Sequence, residues 1–262
     1  MVSFARWCPL PDGVDLWWVD LDQAPPLDRL KTVLSIEERE RTDRFRTPQL
    51  QHRFAACRAQ LRGILSRYVG KPPAQLEFCY GPQGKPALVL SDVEFLEFLE
   101  FNVSHCQGEA LYGVGWRPLG VDLERLRSMA QPLDLARRFF APSEVATLAA
   151  LPPDQQSCGF LRYWVGKEAL LKAMGTGIAN GLDRVVLTLQ PTLQIQALPP
   201  DRGLWSLQEI AIPAAIDSRP PSPPTSPTWV AALATAEPAL HIQWRSPSWE
   251  FLAENQQPRY NS

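Results

Sequence analysis

Along this chain a strand, then helices, then strands appear twice, once on each side of a turn at Arg117-Pro118, and that repetition restricts the folds open to it. The first pass opens with Val14 to Asp20 (VDLWWVD), whose β-branched and aromatic residues read as a strand. A helical stretch follows. Ser35 with Glu38 three residues later fits a capping box, so a helix starts at Ile36 and should end near Arg46. Thr47-Pro48 supplies the N-cap and first position of a second helix. There Leu50, Phe54, Cys57, Leu61, Ile64, Leu65 and Tyr68 recur at the helical period until Gly70 stops it. Short strands are expected at Leu76 to Tyr80, Ala87 to Leu90, Glu100 to Ser104, Ala110 to Trp116 and, past the turn, Leu119 to Glu124.

The second pass repeats the order. Helical pattern runs from Leu133 to Phe140, restarts after Pro142, and restarts again from Asp154 to Met174, where Gly175 and Gly177 end it. Strands are expected at Val185 to Leu189, Leu193 to Ala197, Leu204 to Ile210 and Trp229 to Thr235. The prolines of 218–227 forbid a strand ladder and predict an extended loop, and the tail beyond Glu237 carries no assignable pattern. The triplet repeat Glu94-Phe95-Leu96-Glu97-Phe98-Leu99 reads as a local insertion. The pattern predicts an α/β (α+β) chain of two similar halves, 1–116 and 117–262, facing each other across a ligand cleft.

Composition sets the class and little more. With 45% hydrophobic and 21% charged residues and a formal net charge of -2, the 262-residue chain reads as globular, with no global attraction to nucleic acid or membrane. No run of about 18 apolar residues occurs and the start lacks a signal-peptide core, so a cytoplasmic location is expected. The five cysteines show no CxxC spacing and read as reduced thiols rather than a zinc or disulfide framework. The totals conceal one asymmetry. Residues 29–67 hold ten Lys or Arg against four Asp or Glu, which is either a solvated helix face or a surface for a phosphorylated ligand.

Chemistry concentrates in four places. In Gly120-Val121-Asp122-Leu123-Glu124, the period of two sends both carboxylates to one face about 7 Å apart. The pair is either a polar strand exit or two oxygen ligands of a hard cation such as magnesium, which uses one or two carboxylates plus phosphates and water. In Trp164-Val-Gly-Lys167-Glu168-Ala-Leu-Leu-Lys172, residues 164, 168 and 172 form one helical stripe with Lys167 at its margin. Glu168 and Lys172 are an ordinary i,i+4 pair or, with Asp122 and Glu124, a third acid and a phosphate-neutralising lysine. Glu144 stands in a first helical turn, where an acid meets the helix dipole in any case. Asn102-Val103-Ser104-His105 ends a strand with groups that suit either structure or phosphate binding.

Taken together, these segments resemble the 4′-phosphopantetheinyl transferase superfamily, in its longer Sfp-type branch. Gly120 to Glu124 is similar to the family's GxDxE segment, Phe140 to Glu144 to FxxxE, and Trp164 to Lys172 to WxxKEAxxK. Upstream, Phe101 to His105 resembles FNxSH and Gly84-Lys85-Pro86 a GKP turn. The resemblance implies a pseudo-twofold α/β monomer with coenzyme A between its halves, acting on apo acyl or peptidyl carrier proteins. Asp122, Glu124 and Glu168 would hold Mg²⁺, with Mn²⁺ an alternative. Arg53, Ser104 and His105 would meet the 3′-phosphate, and Lys85 would lie against the adenine. Lys167 and Lys172 would stabilise the leaving phosphate, and Glu144 is the first candidate for the base, Glu168 the second. One departure stands out: Glu38 occupies a place where relatives often carry a lysine, with Arg41 one turn later. The competing classes are a non-catalytic module that binds coenzyme A or a carrier protein, and a metal-dependent phosphohydrolase.

Overall fold

The computed structural model describes residues 8–9, 12–89, 99–177, 181–200, 203–213, 229–237 and 241–254. In chain order the strands and helices are β1 (Gly13–Asp20), α1 (Leu27–Lys31), α2 (Ile36–Asp43), α3 (Pro48–Val69), β2 (Phe78–Tyr80), β3 (Pro86–Leu88), β4 (Glu100–Cys106), β5 (Glu109–Gly115) and β6 (Leu119–Arg125). There follow α4 (Pro132–Phe139), α5 (Pro142–Ala149), α6 (Pro153–Met174), β7 (Val186–Thr188), β8 (Gln194–Ala197), β9 (Trp205–Glu209), β10 (Trp229–Ala236), β11 (His241–Arg245) and α7 (Phe251–Glu254). The Pro-rich stretch 218–227 and most of the triplet repeat, 94–98, lie outside the described residues.

The same connectivity occurs twice. In the first sheet β1 pairs antiparallel with β5, which pairs antiparallel with β4; in the second β6 pairs with β10 and β10 with β9, again antiparallel. Each half thus begins with a strand, crosses through helices, and returns in two strands of which the last lies in the middle. A long helix covers each sheet. Against β1 and β5, α3 packs Leu61, Ile64, Leu65 and Tyr68 onto Trp17, Val19, Tyr112 and Val114. On the other side, α6 packs Phe160, Leu161, Val165 and Leu170 among Ala232 and Ala234 of β10 and Leu187 and Leu193.

A third cluster joins the halves. Val14, Leu16 and Trp18 project from the opposite face of β1 to meet Leu119, Val121 and Leu123 of β6 and Trp229, Ala231 and Leu233 of β10. Trp18 and Trp229 meet edge to face with ring centroids 5.4 Å apart. Because β1 is covered on both faces, its residues 14–19 are apolar on both faces apart from Asp15, which is met by Tyr68 and Arg245. The alternation survives in β6, where odd residues enter the seam and Gly120, Asp122 and Glu124 face the other way.

Local chemistry sets the helix limits. The Ser35 hydroxyl accepts from Glu38 N (3.2 Å) while Glu38 accepts from Ser35 N (3.0 Å), so the capping box is present in full. Thr47 caps α3 through Leu50 N, and Gly70 ends it in the left-handed conformation. The first of these helices stops at Asp43, short of Arg46, as Phe45 N turns back to Thr42 O. The tail crosses the expected division at 116/117. β11 adds to β1 in parallel, and Phe251 and Leu252 join the core under α3, so this segment of the second half belongs spatially to the first. No local pattern could reveal it, since the strand is short and finds its partner more than two hundred residues upstream. Among the described residues no helix is long and apolar enough to cross a membrane.

Candidate functional site

The site is built where α6 crosses β6. A Cβ on Gly120 would overlap the backbone of Ala169 and Ala173, so only glycine lets the helix lie directly on the strand. That contact places Glu168 and Lys172, the residues preceding the two alanines, beside Asp122. Asp122 Oδ1 accepts from Lys172 Nζ at 2.6 Å and from the Ser104 hydroxyl of β4 at 2.7 Å. Lys172 Nζ also donates to Ser104 Oγ (3.1 Å) and Val121 O (3.4 Å), and lies 3.9 Å from Glu168 Oε2. Glu124, two residues on, pairs with Arg127 at 2.9 Å and accepts from the Cys106 thiol at 3.5 Å.

The three acids act on one another. Burial pushes the Glu168 carboxyl up to about 7, and the charges of Asp122 and Glu124 add to the rise while Lys172 opposes it. Burial likewise raises Asp122, against the pull of Lys172 and Ser104. Among the described residues no three His, Cys, Asp or Glu side chains stand gathered closely enough to ligate an ion as they are. What the geometry does contain is a cationic head within reach of both Asp122 and Glu168, together with an all-oxygen donor set that suits a hard divalent ion. The donor set therefore fits magnesium, and Lys172 marks the cationic position between two of the acids.

Glu144 and Lys167 are placed elsewhere. Both side chains are fully buried and pair at 2.7 Å. Glu144 also accepts from Ala141 N and Leu187 N, each at 2.8 Å, while Lys167 donates to Leu182 O at 2.6 Å and to Val185 O, over the Phe140 ring. Burial lowers the Lys167 pKa and the Glu144 charge restores part of it. Every polar atom of the pair is committed to pinning the start of α5 and the strand at Val186 onto α6. Neither group reaches a surface here, where the expectation was a base at Glu144 and a phosphate ligand at Lys167. Their sequence segments gave no sign of it, since burial of a helix lysine depends on what packs over it.

A cavity of about 810 Å³ opens beside the site, between α2, α3 and the β2–β3 hairpin, with His105 of β4 in its wall. Arg41 and Arg44 line it together with Phe54, Phe78 and Tyr80, giving charge and flat apolar surface in the same space. Its volume lies within the usual range for small-molecule sites. Glu38 lines it too but is not a bare negative charge. Burial would raise its pKa, yet Arg58 and Arg62 at 2.7 Å outweigh that and hold it low. Glu38 is thus a helix cap and an anchor for two arginines. Desolvation, then the charge of Lys172, keeps His105 below the ordinary histidine value, so its ring is neutral and carries one N–H to donate.

The remaining expected ligands are spoken for. Arg53 forms a two-pronged pair with Asp22, both bonds 2.6 Å, tucked against Gly108 in the β4–β5 turn. Lys85 donates to Glu100 Oε2 (3.3 Å) and Leu119 O (3.4 Å), tying the turn before β3 to β4 and β6. Ser104 serves Asp122. Arg44 and Tyr80 were not singled out from sequence; the positive excess over 29–67 was the available signal for the arginine, and an exposed tyrosine on a short strand gave none.

Comparison with known proteins identifies the family by sequence. A sequence model described as the 4′-phosphopantetheinyl transferase superfamily matches residues 118–216, which contain both β6 and α6. The chain is 41% identical over 215 residues to "4′-phosphopantetheinyl transferase HetI" of Nostoc sp., covering 78% of this chain and 88% of that protein. It is 28% identical over 174 residues to "4′-phosphopantetheinyl transferase Sfp" of Bacillus subtilis, covering 66% and 75%. Among solved structures, the holo-(acyl-carrier-protein) synthase of Thermotoga maritima aligns with a TM-score of 0.34 and 17% identity, over 46% of this chain and 62% of that one.

Proposed function

Since the chain belongs to the 4′-phosphopantetheinyl transferase superfamily, we propose that it moves the phosphopantetheine arm of coenzyme A onto a serine of an apo acyl or peptidyl carrier protein, releasing 3′,5′-ADP. The reading includes Mg²⁺, with Mn²⁺ able to substitute, held by Asp122, Glu124 and Glu168. It also makes the protein a cytoplasmic monomer without nucleic-acid or membrane partners, whose two halves flank the substrate. The observation that carries it is the convergence of Asp122 and Glu168 on one cationic position beside a basic, aromatic-lined cavity.

The cavity accounts for the nucleotide end of the substrate. Coenzyme A carries about four negative charges near neutral pH, and hydrogen bonds between ions are the strong ones. Arg41, Arg44 and the N–H of neutral His105 would take the 3′-phosphate, with Phe54, Phe78 and Tyr80 offering surface for the base. Arg53 joins them only by letting go of Asp22, and Ser104 only by letting go of Asp122. Lys85, beside Gly84 and Pro86 of the cavity wall, would lie along the adenine edge.

Phosphoryl transfer asks mainly for alignment and neutralisation of charge. A divalent ion bound at the three acids supplies that neutralisation at the diphosphate. Lys172 meets the phosphate that departs with 3′,5′-ADP. The carrier serine oxygen bonds to the phosphorus next to pantetheine as the bond between that phosphorus and the bridging oxygen breaks. Glu168, the second candidate for the base, would take the serine proton, Glu144 being sealed in the core. Intact mass spectrometry of an apo carrier protein incubated with the enzyme, coenzyme A and Mg²⁺ should show the addition of one phosphopantetheine arm, and Asp122→Asn should slow it at least about a hundredfold. An unmodified carrier across a panel of acyl and peptidyl carriers, with coenzyme A still bound, would reduce the chain to a binding module.

A further inference from the structure

Asp122 Oδ1 already accepts two hydrogen bonds, from Lys172 and from Ser104, at 2.6 and 2.7 Å. A carboxylate oxygen has two lone pairs to offer, so this atom can ligate a metal ion only if a donor leaves; Oδ2 remains, but an ion shared with Glu168 would meet the Lys172 ammonium, which stands 2.6 Å from one acid and 3.9 Å from the other. Ser104 is the worse candidate to leave, being buried on the strand that packs next to β6. Lys172 is the mobile one: a quarter of its side chain is exposed, against 6% for Asp122, and its ammonium sits at the end of a flexible four-carbon stem. The second acid of the trio has a matching companion. Arg127, nearly half exposed, holds Glu124 at 2.9 Å. Three acids are thereby accompanied by two partly exposed side-chain cations, while the acids themselves are anchored by β6 and α6.

We infer that Lys172, seconded by Arg127, is a tethered counter-ion that exchanges with the divalent cation. Ammonium and metal occupy the Asp122 and Glu168 carboxylates in turn, and the incoming diphosphate gives the displaced ammonium its second berth. The inference rests on the metal reading above and adds to it a competition that reading does not require. It has a thermodynamic corollary. Without nucleotide the ion must evict Lys172 into water, so it binds weakly; with coenzyme A present the evicted ammonium gains a phosphate, so each ligand strengthens the other.

Mn²⁺ binding, followed by the electron paramagnetic resonance of the free ion without coenzyme A, tests the exchange on the 262-residue chain. Lys172→Met removes the competitor and should bind Mn²⁺ about tenfold more tightly than the parent, because a unit charge some 4 Å away in a partly exposed site is worth at least that factor. The gain in Mn²⁺ affinity on adding coenzyme A should shrink in the same variant. Equal or weaker Mn²⁺ binding by Lys172→Met would mean that the ion and the ammonium sit side by side, and the exchange is wrong. Mn²⁺ binding indifferent to Asp122→Asn in both backgrounds would instead remove the metal reading, and the exchange with it. Should Lys172→Met fail to fold, the parent protein answers through acetylation by N-hydroxysuccinimidyl acetate mapped by mass spectrometry. Mg²⁺ should raise the reactivity of Lys172 several-fold relative to Lys31, which is similarly exposed and paired with Asp43 away from the site, and no change would overturn the proposal.

Discussion

Glu168 shows how a single carboxyl can be tuned by its neighbours. Its pKa stands near 7 against an ordinary 4.5, because burial and the charge of Asp122 both disfavour the ionised form. The folded chain therefore holds a proton there that the unfolded chain gives up between those two values. The stability contributed by protonated Glu168 is complete below about pH 4.5 and is lost as pH rises through 7, by an amount on the order of 3 kcal/mol. Denaturant titrations in chelator-containing buffer should show the parent weakening over that window and Glu168→Gln weakening less. Identical profiles would mean that Asp122 and the burial do not act on this carboxyl. Glu144 and Lys167 make the contrasting case. Their charges are buried but mutually satisfied, so they hold elements together.

Among the elements, the crossing of α6 over β6 does most to make the site. Gly120→Ala would drive a methyl group into the backbone at Ala169 and Ala173, and the helix would have to lift. The expected result is a loss of about 1–3 kcal/mol in unfolding free energy, together with loss of phosphopantetheine transfer through displacement of Glu168 and Lys172. Parent-like transfer by a stable Gly120→Ala protein would show that the close crossing is not what sets the site. The sequence made the elements legible where their cause is local. The Ser35–Glu38 capping box, the Thr47-Pro48 helix start and the Gly70 stop are written in residues three or four apart. The common face of Asp122 and Glu124 follows from strand period alone. What packs over a residue is not local, so the sealing of Lys167, the neutralisation of Glu38 by Arg58 and Arg62, and the hold of Lys172 on Asp122 were out of reach.

For the whole molecule the informative feature is the tail. Phe251 packs its ring onto α3 over Gly63, where a Cβ would overlap it, and Arg245 reaches Asp15 at 3.0 Å beside the Tyr68 hydroxyl at 2.6 Å. Phe251→Ala should lower the unfolding free energy of the entire chain by about 3 kcal/mol in denaturant titration, whereas a merely appended tail would leave the midpoint unmoved. The seam of Leu16, Trp18, Val121 and Trp229 couples the halves, so the loss should be felt as one transition rather than two. The parallel pairing of β11 with β1 also bears on how the protein is made. During synthesis the outer edge of β1 must wait for residues 241–245, translated more than two hundred residues later, with its backbone donors and acceptors unmatched and open to pairing with other chains. Ribosome-bound intermediates halted before that point should accordingly lean on chaperones more heavily than the finished protein does.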